Sequence, residues 1–265
     1  DIIDGIDANV VDQITAAGCV LNKVEGMNIN YLGFNTDVIT DPEVRKALSQ
    51  AVNVPELVES LYRGYATEAT TILPSFMPGY SDGITRPSYD PEAAQATLQE
   101  KGVTQIHMLA YTNPRPYNTA TGQTLAEAIQ GYWAKVGVEC TIDSYDWTTY
   151  KDKVNAGGYD VCLYGWNGDN GDPDNFMYLL AHVDPGMNVA HYNDEEYKQM
   201  LAEAAALPNG DERNAAYAAM EQKLADECVW LPISHQESLS AYVSNVNNFI
   251  YHPTGNVFLS KTYKN

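Results

Sequence analysis

The chain has 265 residues, 45% of them hydrophobic, enough for one large domain or two small ones and too apolar for a disordered protein. A formal net charge of −20 repels phosphate backbones and anionic lipid, which argues against nucleic acid as a partner. No apolar run is long enough to span a membrane, no signal peptide is visible, and the opening "DIIDGIDANVVDQI" reads as the middle of something longer.

The first ~27 residues fit no obvious α/β unit. Residues 28–34, "NINYLGF", are a predicted strand. In "TDPEVRKALSQAVN", Thr40 or Asp41 is placed to cap a helix, Pro42 suits its first turn, and Val44, Leu48 and Val52 recur at helical spacing. A second short helix, "VPELVESLYRG", stops at Gly64, and residues 65–89, with Pro74, Pro78 and Pro87, read as a long surface loop. "YDPEAAQATLQEKG" repeats the Asp–Pro opening at Asp90 and Pro91.

From there strand and helix alternate. "IHMLAY", "VECTIDSY" and "YDVCLYGW" are predicted strands, and "TGQTLAEAIQGYWAKVG" and "DWTTYKDKVNAGG" the helices between them. This is the rhythm of an α/β fold with crossover units. Three helical segments follow, "DPDNFMYLLA", "DEEYKQMLAEAAAL" and "DERNAAYAAMEQKLADE", and then a β-like, tyrosine-rich tail. One α/β domain thus stands between terminal segments of another body.

Catalytic signatures are missing: there is no GxSxG, HExxH, P-loop or GxGxxG after a strand. Four widely spaced cysteines and five histidines show no metal-ligand spacing, and Cys140 and Cys162 read as buried thiols. Asp169, Asp172 and Asp174 crowd into "GWNGDNGDPDNF" but fail the EF-hand register, leaving a different kind of calcium loop open. Two of them would need a nucleophile or a water site for acid/base work, and none is indicated.

A more productive pairing joins two loops. "YTNPRPYN" follows one strand and "WNGDNGD" another, and ligands of open α/β sheets bind beyond the carboxyl ends of strands. Arg115 offers a planar fork for a carboxylate, and Asp169 accepts hydrogen bonds from an ammonium. Together they complement a zwitterion such as a short peptide. The alternative is that both are ordinary loop residues, or that they pair with each other.

The stretches "GMNINYLGFNT", "DPEVRKALSQAVN", "YDPEAAQATL", "RPYN", "YWAKVGVECTI" and "GWNGDNGDPDNF" together resemble the extracytoplasmic solute-binding proteins of the peptide and nickel importer family, family 5. The resemblance runs from about Gly26 to the C-terminus and is closest to the dipeptide-binding members at "RPYN" and "GDNGDPDNF". It implies a non-enzymatic substrate-binding component of an ATP-binding-cassette importer, with no cofactor or metal. Two lobes of type II periplasmic-binding-protein fold, mixed sheets flanked by helices, would close on the ligand.

The resemblance also implies that this chain is a C-terminal half lacking most of the first lobe. Residues 31–235 would be the second α/β lobe. Residues 1–30 and 236–265 would belong to the first, with crossings near Tyr31–Asn35 and Pro232–His235. Asp169 would hold the peptide ammonium and Arg115 the carboxylate. Trp166, Asn167 and Gly168 would line the pocket, with Tyr117 and Trp147 as further wall residues, Trp147 alternatively starting its helix against the core. The implied partners are a short peptide and a membrane permease. The protein would be a monomer, periplasmic or lipid-anchored at the outer face of the cell membrane. A nickel chelate, haem or another peptide-like solute is the alternative ligand; a hydrolase or a signalling receptor lobe is the alternative class.

Overall fold

Helix starts follow from one local device. Asp41, Asp90, Asp146 and Asp194 each turn a carboxylate back onto a backbone N–H of the first turn, and Pro42 and Pro91 follow two of them with φ already set for a helix. In the computed structural model, which describes all 265 residues, the elements run in order as follows. β1 (Ile2–Asp4), α1 (Val11–Ala16), β2 (Cys19–Glu25) and β3 (Asn28–Phe34) come first. They are followed by α2 (Pro42–Gln50), α3 (Val54–Tyr62), β4 (Ala66–Glu68), α4 (Pro91–Glu100), β5 (Gln105–Tyr111) and α5 (Gly122–Lys135). Then come β6 (Glu139–Tyr145), α6 (Trp147–Ala156), β7 (Val161–Asn167), the short α7 (Asp174–Met177), α8 (Glu195–Ala206), α9 (Asp211–Glu227) and β8 (Trp230–Val243). The tail makes two small antiparallel pairs, Val246–Asn247 with Tyr263–Lys264 and Ile250–Tyr251 with Val257–Phe258.

A mixed sheet in the order β1-β8-β3-β7-β5-β6 organises these elements, with β2 and β4 also paired to β8. β5 is parallel to β6 and to β7, whereas β3 is antiparallel to both β7 and β8. Every residue of β3 is buried, as expected for a strand covered on both faces. Leu125, Ile129 and Trp133 of α5 are fully buried as their spacing predicts, and the Trp133 indole N–H donates to the Leu48 carbonyl at 2.9 Å, locking α5 to α2. One continuous core of 56 buried residues runs from Met27 to Ile233.

β8 belongs to two bodies. Its first half pairs with β3 from Trp230 to Ser234; its second half pairs with β2 from Glu237 to Val243 and with β1. The pairing passes from β3 to β2 at Gly26–Met27, so Tyr31–Phe34 lie inside the fully paired stretch. At this changeover the Asn28 side chain replaces the missing ladder bonds: its Nδ2 donates to the Gln236 carbonyl at 2.9 Å and its Oδ1 accepts from the Gln236 N–H at 2.7 Å. The terminal body packs around a second cluster of only four buried residues, Ile6, Val11, Leu239 and Ala241. No helix is long and apolar enough to cross a membrane. All four cysteines are free, and Cys140 and Cys162 are buried as expected.

Candidate functional site

Three strand ends meet at one edge of the sheet. β5 and β6 finish level, Tyr111 beside Tyr145, and β7 runs parallel to β5 with Val161 beside Met108, so β7 overshoots its neighbour to end at Asn167. The loop after β5, the start of α6 and the loop after β7 therefore gather together, the arrangement that creates ligand sites in open α/β sheets.

The loop after β5 is closed by a reciprocal pair of backbone bonds between Arg115 and Asn118, both 2.9 Å. Asn118 is the anchor: fully buried, it donates to the Tyr111 hydroxyl at 3.0 Å and accepts from the Tyr62 hydroxyl at 2.8 Å. Tyr117 turns inward, and its ring lies where a side chain of residue 165 would stand; a Cβ on Gly165 would come within 2.2 Å of it. Burial raises the Tyr117 phenol pKa, and its hydroxyl has no hydrogen-bond partner within the chain. The Arg115 guanidinium lies close to this phenol. It also lies 4.0 Å from the centre of the Trp147 ring, a cation–π contact that fixes the plane of the fork. Trp147 in turn packs edge-on against Tyr111 and stacks on Tyr150, so it is seated against the core.

In the loop after β7 the aspartates divide the work. Asp169 is exposed, and its Oδ2 accepts from Asn175 Nδ2 at 3.2 Å. Arg115 and Asp169 thus do not pair with each other; one lies on Trp147, the other on Asn175. Asp172 accepts from the Asp174 N–H at 2.9 Å and from buried Arg213 of α9 at 2.9 Å. Burial pushes the Asp172 carboxyl up, but Arg213 and the Asp174 amide outweigh it and hold it below the usual range. Asp174 accepts from the Tyr217 hydroxyl at 3.3 Å. These bonds tie the base of the loop to α9. No three His, Cys, Asp or Glu side chains converge as metal ligands.

The φ of Gly168 is not left-handed. The glycine is needed for close approach: its N–H donates to the Met27 carbonyl at 2.7 Å, and a Cβ would lie 2.8 to 2.9 Å from Met27 and Phe176. Gly171 meets open space.

Beside these loops opens a cleft of about 470 Å³, walled on one side by Arg115, Asn167 and Asn28 and on the other by Asp4, Glu237 and Tyr251 of the terminal body. Of the residues singled out by sequence, Arg115 and Asn167 line it directly. Trp147 backs Arg115. Trp166 precedes Asn167 within β7 and Asp169 follows it in the loop, neither lining the cleft, and Tyr117 and Gly168 are buried supports. Sequence reasoning missed Asn175, whose only signal was its place beside an aspartate in "DPDNF". It also missed Asp4 and Glu237, which join the cleft only through strand pairing.

The sequence matches the family described as bacterial extracellular solute-binding proteins, family 5 middle, over residues 1–188. It is 32% identical over 243 residues to the dipeptide-binding protein of Escherichia coli (strain K12), a match covering 89% of this chain and 45% of that protein. Heme-binding protein A of Haemophilus influenzae is likewise 32% identical, over 89% of this chain and 44% of its own length. The solved structure of HbpA2 from Haemophilus parasuis superposes with a TM-score of 0.89 at 27% identity, covering 100% of this chain and 54% of that one. The chain has the mixed α/β fold of these proteins and spans about half the length of the curated relatives it matches.

Proposed function

The chain belongs to the bacterial extracellular solute-binding proteins of family 5, and from that premise we propose that it is the ligand-gripping part of a peptide-binding component for an ATP-binding-cassette importer. It captures short peptides, dipeptides foremost, outside the cytoplasm and hands them to a membrane permease without chemical change. The observation that carries this reading is a cation and an anion held at separate fixed points on one sheet edge. Arg115 is braced on Trp147, and Asp169 is braced by Asn175. The fork takes the peptide carboxylate and the aspartate its ammonium. Backbone groups around Asn167 and Gly168 pair with the peptide main chain, Trp166 lines the pocket, and ligand side chains stay in hydrated space.

Residues 31–235 are the second lobe in this reading, and residues 1–30 and 236–265 belong with the first. The changeover of pairing at Gly26–Met27, opposite Gln236, is the natural place for the lobes to pivot, because there one side-chain amide stands in for a stretch of ladder. Without the rest of the first lobe, each end of the ligand stays wet. Exposed charge pairs are worth about 1 kcal/mol or less, so the 265-residue chain alone is expected to bind peptide weakly or not at all.

Calorimetry on a full-length protein carrying these residues tests the assignment. Asp169→Ala is expected to weaken dipeptides with a free amino group by about thirtyfold or more and to leave N-acetylated ones unaffected. Arg115→Ala is expected to hurt free carboxylates more than amides. Unchanged affinities would remove the zwitterion clamp. A second reading, binding of haem, is favoured by the equal identity to Heme-binding protein A. Uptake of haem with no response to dipeptides would establish it.

A further inference from the structure

Asn175 lies in the first turn of α7, and its side-chain amide is tied at three points. Its Oδ1 accepts from the Trp166 indole N–H at 3.0 Å and from the Asp169 backbone N–H at 2.9 Å; its Nδ2 donates to Asp169 Oδ2 at 3.2 Å. Chemistry fixes the amide's orientation. Two donors point at one end and a carboxylate at the other, so a flipped amide would face N–H against N–H and oxygen against oxygen. This one side chain joins the end of β7, the backbone of the loop and the exposed carboxylate.

The carboxylate needs such a partner. Asp169 is exposed and sits in a loop between Gly168 and Gly171, where an unsupported side chain samples several rotamers. Freezing it at the moment of binding would oppose binding. Asp172 and Asp174, the other acids of the loop, are occupied by Arg213 and Tyr217 and cannot substitute. The bond from Asn175 occupies Oδ2 alone and leaves Oδ1 free for a ligand donor. The same amide holds the indole of Trp166, whose other flank meets Tyr178 edge-on at 6.4 Å. An aromatic wall and a carboxylate are thereby set in fixed relation.

We propose that Asn175 is the positioning residue of the ammonium site: it holds the Asp169 carboxylate and the Trp166 ring in the arrangement that receives a primary ammonium group. This rests on the reading of Asp169 as the ammonium clamp. Asn175 does not touch the ligand; it acts through Asp169.

The test is calorimetry on a full-length protein carrying these residues, with a dipeptide and its N-acetyl counterpart. Asn175→Ala is expected to weaken the free-amino dipeptide about three- to tenfold, the cost of ordering one side chain, and to leave the N-acetyl dipeptide unchanged. In an Asp169→Ala background it is expected to have no further effect. The Trp166 indole N–H resonance is expected to shift in Asn175→Ala and to stay in place in Asp169→Ala. Asn175→Asp, the same shape with the donor removed, keeps the loop folded should the alanine variant not. It is expected to lower selectivity for the free amino group; unchanged or increased selectivity overturns the proposal. Equal weakening of both ligands, or additive losses in the double variant, would reduce Asn175 to a general loop support. If Asp169→Ala has no effect, the clamp itself falls and Asn175 with it. If only Asn175→Ala has none, the clamp stands and the positioning role alone fails.

Discussion

The α/β body and the terminal body are built on the same long strand and differ in self-sufficiency. The first buries a continuous core of 56 residues, the second a cluster of four. Seven of the eleven exposed large apolar side chains, among them Ile3, Ile250, Phe258 and Leu259, lie in the terminal segments, so apolar surface is spent there without cover. Burial of apolar area is the main favourable term in folding. Stability should therefore reside in the α/β body, with the terminal body following it through β8. The proposed first lobe would cover that exposed surface.

The largest effect is expected inside the α/β body. Trp133→Ala removes a fully buried ring and its bond to Leu48, and should cost about 3–5 kcal/mol in chemical denaturation. A loss confined to helix α5, with the rest of the body intact, would break the view of one cooperative core.

An intermediate effect probes two buried groups that titrate in opposite senses, one on the strand that joins the bodies and one on α9. Burial pulls His235 down to about 4, and its Nδ1–H donates to the Asn28 carbonyl at 2.6 Å. The native state there binds fewer protons than the unfolded state, so this contribution is lost as pH falls from 6.5 toward 4. Burial lifts Glu221 of α9 to about 7 while its Oε1 accepts from the Leu73 N–H at 3.0 Å. The native state binds more protons there, so this contribution grows as pH falls from 7 toward 4.5. Relative to the parent protein, His235→Gln should gain stability progressively on acidification and Glu221→Gln should lose it, as read by denaturant midpoints at a series of pH values. Parallel profiles would show that neither group is buried in solution as it is here.

The smallest effect sharpens the comparison from the other side. Phe258→Ser at the exposed tail should change global stability by no more than about 0.5 kcal/mol. Amides of residues 246–264 should exchange far faster than those of β3. Equal protection would make the two bodies one unit.

Much of this molecule was legible in its sequence, for local reasons. Asp41 and Asp90 cap the helices they precede because a short carboxylate meets the first-turn amides whatever lies beyond. Leu125, Ile129 and Trp133 declare their face by a 3.6-residue repeat. Arg115 and Asp169 were nameable because each follows a recognisable strand. What stayed hidden depends on residues distant in the chain. Asn28 standing in for a ladder against Gln236, Arg213 reaching Asp172, and Asp4 and Glu237 walling the cleft are set by strand register and helix packing. Asn175 lies between these cases: its neighbours are local, but its three bonds exist only once β7 ends and α7 begins at the angle the packing imposes. The sequence by itself determined the strands and helices from β3 to α9, β4 (Ala66–Glu68) in the expected loop excepted, and which loops carry opposite charge, because those follow from short-range sterics and periodicity. Tertiary structure alone decided that one cation is braced on an aromatic ring and one anion on an amide, because the partners meet only when three strand ends are brought to the same edge.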